Sequence, residues 1–443
     1  MESGSQVLGE GRGAAGGDLE ADIRRSFPRN AVAFIAYDAV WNIGCGFVLM
    51  ATTIPFYLTK VLGASMTFMQ VVATLSPLMT VLQLWGAHLC RGPRRRLKLL
   101  FLWLLFPACW MAYGLVALLG WGRLPHALFL VLFPATCIGL GVVQHLGIPP
   151  YAELVLDATP LRWRGRLAAI RCVFGGLCQL GGTFLAALTK SAWPTPLNFH
   201  VAFLLGPAFM AVSCAALLFM HDHAAVHDRA PRPHPFVTAK GLLRTVRFRT
   251  FLIFFGVGMA AQSLTPLILA CGTKTLGMQQ EGFTAAVSVG VVLAGALVPH
   301  LADRFGFRLV GIINAVWLML TFAVPVVWEG SPSAMLAAYA LYGGTTGYSG
   351  VLLANLGSEL APNFKAAAIV AVGSILAMVL GLLVAPLGGA VVDLLGPAGY
   401  RPVFLGGIAL GLVSLVGFAV FIREPRSGNV SRESLCLDGR GKG

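Results

Sequence analysis

The chain has 443 residues, of which 57% are hydrophobic and only 11% charged, with a mean hydropathy of +0.78. Soluble domains carry about 25% charged residues, so this composition excludes an ordinary soluble enzyme or binding domain and predicts a membrane protein. The net charge of +14 does not call for nucleic acid, because the basic residues stand in short clusters between apolar runs, where loop topology accounts for them.

In chain order, residues 1–29 are Gly-rich and polar without an apolar h-region. They read as a disordered tail rather than a signal peptide. A bilayer core takes about 20 apolar residues per helix, and charges and Gly/Pro breaks cut the rest into about twelve spans. These are 31–58, 66–89, 98–120, 125–157, 165–189, 198–220, 250–273, 282–302, 308–328, 333–359, 365–393 and 402–422. The fold class is therefore all-α, with an N-terminal six-helix bundle (30–220), a linker (221–249), a C-terminal six-helix bundle (250–422) and a tail (423–443). One set of loops holds Arg91, Arg94, Arg95, Arg96, Lys98, Arg162, Arg164, Arg166, Arg304, Arg308 and Lys365, while the alternate set holds little beyond Lys60, Arg123, Lys190, Lys274 and Arg401. Since Lys and Arg concentrate in cytoplasmic loops, both termini and the linker are expected in the cytoplasm, with the chain in a plasma or inner membrane.

Local patterns recur between the two halves. "KVLG" at Lys60 to Gly63 answers "KTLG" at Lys274 to Gly277, and "CRGPRR" at Cys90 to Arg95 answers "DRFGFR" at Asp303 to Arg308. Asp157 and Pro160, closing the fourth helix, are matched by Glu359 and Pro362. The same order at equivalent places predicts a parallel repeat of two six-helix units, a known transporter plan.

Two of these stretches carry a family resemblance. "DRFGFR" resembles the loop signature of the major facilitator superfamily, and "PYAELVLDATPLRWRGR" (150–166) is similar to its helix 4 to 5 signature, with an acid, a proline three residues on and an RG pair. The resemblance spans the whole chain in topology and implies a secondary transporter, but its motifs name no substrate. Cys90 stands where the family pattern has an acid, and "GGLCQLGG" has the glycines but not the proline of the antiporter signature.

Glu153 and Asp157 lie four apart, near the negative end of the helix dipole, where carboxylates need cations. Arg162, Arg164 and Arg166 are the expected partners. Two readings stand: a membrane-boundary marker, or a cytoplasmic gate of exchangeable pairs comprising Glu153, Asp157, Arg164 and Arg166 with Asp303, Arg304, Arg308, Glu359 and Lys365. Ionisable groups at bilayer depth cost at least ~2.5 kcal/mol and usually face a cavity or a partner. Asp38 in helix 1 and Arg171 in helix 5 both sit roughly 10 Å deep at 1.5 Å per residue, and His145 in helix 4 should reach a similar depth. They are expected to form a proton-handling or solute-binding cluster; the alternative is a static ion pair between helices 1 and 5.

In proteins this one resembles, helices 1, 4, 7 and 10 line the pathway. That implies Tyr37, Trp41 and Asn42, then Gln262 and Ser263, then Tyr342, Thr345, Thr346, Tyr348 and Asn355 within the Gly-rich tenth helix. Each is also explicable as packing. Aromatics plus amides suit a small organic solute with polar and apolar faces.

"HDHAAVH" at His221 to His227 could ligate a metal but is short and unaccompanied, so it reads as solvated loop. Residues 235–251 mix basic and apolar residues as an interfacial helix does. The nine cysteines show no paired or zinc spacing and read as small core residues. No Walker A, HExxH or GxSxG sequence is present, so no cofactor, metal or enzyme activity is expected. The expectation is a monomeric transporter of a small organic solute, coupled to protons if Asp38 titrates. The alternatives are an uncoupled uniporter or lipid-moving relative, and a scaffold or sensor that kept the fold.

Overall fold

The computed structural model of the chain describes residues 7–89, 94–160, 163–222, 235–364 and 366–424. Helices dominate, with no strand among the described residues. Among the described residues, ten segments are long and apolar enough to cross a membrane. One of these, 368–421, is two helices joined by a turn at Gly396–Gly399. The helix Pro332–Val351, rich in Gly, Tyr and Thr, stands outside the ten. Together they make the expected twelve.

In the first half, α1 runs Val7–Val48 and continues through Met50–Phe56 and a π-turn to Val61. It is followed by α2 (Met66–Leu78, then Gln83–Leu89), α3 (Arg95–Gly120), α4 (His126–Asp157), α5 (Arg164–Ser191) and α6 (Leu197–Cys214). In the second half, α7 (Val246–Gln262, then Pro266–Thr275), α8 (Gln280–Phe305) and α9 (Phe307–Val327) precede α10. The last three are α10 (Pro332–Val351, then a π-turn to Leu356), α11 (Ala366–Leu395) and α12 (Tyr400–Val416). The face of the bundle bearing the chain's ends is called the termini face here.

The N-terminal segment departs from expectation: α1 is helical from Val7. Glu20 and Arg24 pair at 2.5 Å one turn apart, and Arg29 and Asn30 donate to the carbonyls of Phe219 and His221 at 2.6 and 3.2 Å. The end of α6 therefore holds the start of the span. The short helix Pro235–Arg244 buries Leu242 completely in the core of the second half, so one side of it is anchored in protein rather than headgroups.

The repeat is visible in the backbone. Left-handed φ angles occur at matching places: Gly63 (61°) and Gly277 (66°) before α2 and α8, Arg94 (64°) and Gly306 (83°) opening α3 and α9, and Gly122 (78°) and Gly330 (79°) after them. Arg94 takes this conformation without being glycine, which is uncommon. On the outside, Phe101, Val131, Phe184 and Leu387 are 66–67% exposed, an apolar girdle that water would not tolerate and lipid does. Between the halves α5 packs on α8 and α2 on α11, with Gly176 against Ser288 and Val292 and Gly389 against Met66 and Thr67. Both glycines leave room only for bare backbone at these crossings.

Candidate functional site

At the termini face the charge cluster forms with a different cation. Asp157 is bonded by Arg95, which opens α3, at 2.9 Å, and the second amino group of that guanidinium reaches Asp222, just past α6, at 2.8 Å. Its side chain is only 5% exposed, so Arg95 ties the ends of α3, α4 and α6 into one knot. The expected partners do other things. Arg164 donates to the carbonyls of Leu156 and Thr159 at 2.9 and 3.3 Å, capping the end of α4, where a cation also meets the negative end of the dipole. Arg166 is exposed and stacks over Trp163, 5.3 Å from the ring centroid, and Arg162 lies outside the described residues. Glu153 is half-buried one turn before Asp157.

The second half repeats the plan with altered chemistry. Arg308, the counterpart of Arg95, donates its backbone N–H to Glu424 at 2.9 Å and its side chain to the carbonyls of Ala419 and Phe418 at 2.5 and 3.4 Å. Asp222 and Glu424 follow Asp157 and Glu359 at the same sequence interval, so each half places one acid at the end of its fourth helix and one after its sixth. Arg304 is exposed and lies over Phe305. Glu359 is half-buried at the end of α10; Lys365 and the side chain of Asp303 lie outside what is described.

Deeper, Asp38 and Arg171 meet as expected. Arg171 Nε lies 2.5 Å from Asp38 Oδ2 and Nη2 lies 3.2 Å from Oδ1, a bidentate pair with 16% and 19% side-chain exposure. Tyr151 completes the cluster, accepting from Arg171 at 2.8 Å and donating to Asp38 at 3.5 Å. The guanidinium also lies over the Phe34 and Tyr151 rings at 5.5 and 5.6 Å. His145 is not in this cluster. It stands six residues before Tyr151 on α4, about 9 Å nearer the middle of the bilayer, where Gln83 contacts its Nδ1 at 3.0 Å and Thr80 its Nε2 at 3.4 Å. The error was one of depth, since Tyr151 and not His145 is level with Asp38.

The central cavity, about 410 Å³, lies between the halves. Gln144 and His145 from α4 face Gln262 and Ser263 at the break in α7, and Tyr342, Thr346 and Ser349 from α10. Pro266 causes that break, because it has no N–H for the helix ladder and crowds the preceding turn. Of the residues expected here, Gln262, Ser263, Tyr342 and Thr346 are present. Tyr37, Trp41 and Asn42 do not line this cavity: Tyr37 and Trp41 stack at 5.7 Å in an aromatic wall with Trp103 and Phe106. Asn42 donates to the carbonyl of Asp38 at 2.7 Å and fills the space beside Gly175. Tyr348 is fully buried against Trp317, its ring 5.2 Å away. Asn355 lines a second cavity of about 370 Å³ toward the termini face, together with Arg164, Arg171, Thr159 and Ser358. The glycines of α10 serve packing, as Gly343 lies against the carbonyl of Val287 and Gly344 against Trp317.

On the face away from the termini, side chains bond one half to the other. Asp393 at the end of α11 accepts from Met66 and Thr67 at the start of α2. Lys190 at the end of α5 pairs with Glu281 at 2.8 Å and donates to Gln280 at 3.1 Å at the start of α8. Gln280 in turn donates to Thr53 at 2.8 Å, and Thr52 bonds Thr284 at 2.8 Å. Sequence reasoning missed this seal. An acid within the apolar "VVDLLG" run at Asp393 was the available signal. Of "HDHAAVH", His221 and Asp222 are described, and no metal-binding cluster occurs among the described residues.

No family model and no curated protein matches the sequence. Solved structures do match in fold. The nucleoside transporter NupG aligns at 14% identity over 89% of this chain and 100% of that one, with a TM-score of 0.64. The human organic anion transporter MFSD10 aligns at 13% identity over 88% and 99%, TM-score 0.60. The xylose transporter XylE from E. coli aligns at 14% identity over 89% and 98%, TM-score 0.58. At such identities the likeness is one of fold: this is a multi-pass membrane protein with the all-α architecture of major facilitator transporters.

Proposed function

We propose that the chain is a secondary transporter that moves a small organic solute across the bilayer by alternating access, with transport coupled to protons through Asp38. The observation that carries this is a cavity between two pseudo-equivalent halves, with cross-half bonds bridging the face away from the termini and further cavities toward both faces. Alternating access moves such halves about a site held between them. With the basic loops in the cytoplasm, the bridged face is the outer one. The structural neighbours named above, transporters of nucleosides, organic anions and xylose, support the same reading.

Asp38 suits a proton-binding role because it sits at bilayer depth beside the termini-side cavity that Arg171 lines. Uncoupled transport is the second reading, favoured by the completeness of the Asp38–Arg171–Tyr151 bonding, which is what a static strut would also have. Purified full-length protein in proteoliposomes tests both. Solute flux driven or accelerated by an imposed pH gradient supports coupling, flux indifferent to the gradient supports uniport, and no flux of any solute, with partner proteins copurifying, supports a scaffold.

A further inference from the structure

The charged groups are segregated away from the centre of the bundle. Asp38 and Arg171 pair toward the termini face, Lys190 and Glu281 pair at the opposite face, and among the described residues no Asp, Glu, Lys or Arg lines the central cavity. Burying an ion without a partner is costly enough that buried charges are nearly always paired or bound to metal. A solute carrying a net charge would therefore lose its hydration on entering and meet no counter-charge.

Four of the hydroxyls on the second-half wall, all but that of Tyr342, donate their protons to carbonyls of their own helix. Ser263 donates to Ala260 at 2.7 Å, Thr265 to Gln262 at 2.8 Å, Thr346 to Gly343 at 2.7 Å and Ser349 to Thr345 at 2.7 Å. A hydroxyl has one proton and two lone pairs, so these four present acceptors to the cavity. The Gln262 amide nitrogen is turned toward Thr345 at 3.4 Å. On the other wall His145 is occupied from behind by Gln83 and Thr80. The Gln144 amide and the Tyr342 hydroxyl add polar groups, and the rest of the wall includes an apolar set, Met50, Ile54, Met259, Met378 and Leu382, two aliphatic and three thioether side chains that conform to a flat or irregular apolar face.

From this we infer that the central cavity binds an uncharged solute with several O–H or N–H donors on one edge and an apolar face on the other, of polyol or nucleoside-like chemistry. The inference rests on the transport reading and specifies its substrate class. An anion would find no Lys or Arg among the described lining residues to offset its charge. An organic cation would be met by lone pairs but by no carboxylate, and it is the competing outcome of the test. The volume, about 410 Å³, lies within the range of roughly 300–1,000 Å³ usual for small-molecule sites.

The experiment is a matched panel in proteoliposomes of the full chain: xylose and uridine as uncharged probes, xylonate and uridine monophosphate as anions, and protonated glucosamine as a cation. Thermal stabilisation of the same protein in detergent is measured alongside. The expected result is flux and stabilisation by an uncharged probe at least tenfold above its charged counterpart. A charged member carried as well as or better than its counterpart overturns the substrate class and leaves transport standing. No flux and no stabilisation by any member overturns this inference, and the transport reading then falls only if no other solute is carried. Two variants sharpen the result. Thr346→Val, nearly isosteric, should raise KM for the uncharged probe several-fold by removing one acceptor. Gln262→Glu should cut its flux at least tenfold with folding retained by size exclusion and circular dichroism. Unchanged kinetics in both also overturns the inference.

Discussion

The carboxylate of Asp393 accepts the backbone N–H of Thr67 at 2.7 Å, as well as that of Met66 at 2.8 Å and the Thr67 hydroxyl at 2.6 Å. An acid at the end of α11 thus caps the first turn of α2, where unpaired N–H groups and the positive end of the dipole favour it. Lys190 holds the equivalent place on α5 and binds the start of α8 through Glu281. One seal is a carboxylate on a helix end and the other an ion pair, so the two are symmetric in position and different in chemistry.

Removing the cap should open that face. Hydrogen bonds to a charged group contribute about 1.5–3 kcal/mol each, less at a partly exposed position, so Asp393→Ala is expected to shift the population toward a form open at that face by roughly tenfold. Spin labels on the exposed positions Lys60 and Leu394 would report a longer distance component. An unaltered distance distribution would show that the cap does not hold the seal.

The Lys190–Glu281 pair is more deeply buried, with 8% and 20% side-chain exposure. Breaking a buried pair from one side strands a charge and costs about 3–5 kcal/mol, whereas apolar replacement of both partners is often neutral. Lys190→Met and Glu281→Met should each lower Tm clearly, and the double variant should recover most of the loss. Additive losses in the double variant would contradict the pairing.

The arginines at the termini face should separate sharply. Arg95→Ala leaves Asp157 and Asp222 without their shared cation and is expected to destabilise by about 3–5 kcal/mol. Arg166→Ala removes only an exposed stacking contact, and cation–π contacts at such sites are worth about 0.5–1 kcal/mol. Thermal unfolding in one detergent compares them directly, and equal effects would refute the knot centred on Arg95.

Asp38→Asn should abolish any dependence of flux on an imposed pH gradient while leaving solute exchange measurable, because the amide still fills the site but binds no proton. Flux under a pH gradient against exchange at symmetric pH is the pair of measurements. Unchanged pH dependence in the variant removes Asp38 from the coupling role.

Some of this was legible in the linear sequence. Asp38 and Arg171 stood out because each is an ionisable residue inside an apolar run, and such residues find partners; they meet in a bidentate pair. The termini-face cluster was legible as a cluster but not in its pairing. Arg164 and Arg166 are near Asp157 in sequence, yet the helix end turns Arg164 onto carbonyls and directs Arg166 outward, while Arg95 arrives from another helix. Tyr37, Trp41 and Asn42 were placed on the cavity by helix number alone. Which face of α1 looks inward depends on its rotation, and that rotation buries Tyr37 and Trp41 against Trp103 and Tyr151.

The sequence by itself determined the solvent, the helical spans and the two-fold repeat. Apolar run length, loop charge and recurring motifs are local quantities, and a bilayer permits only structures that satisfy their backbone internally. Only the tertiary structure decided which charges pair, that no Asp, Glu, Lys or Arg among the described residues lines the central cavity, and that Asp393 and Lys190 bond the two halves at the face away from the termini. Those depend on the depth and rotation of each helix against its neighbours, where a shift of one turn, about 5.4 Å, exchanges one partner for another.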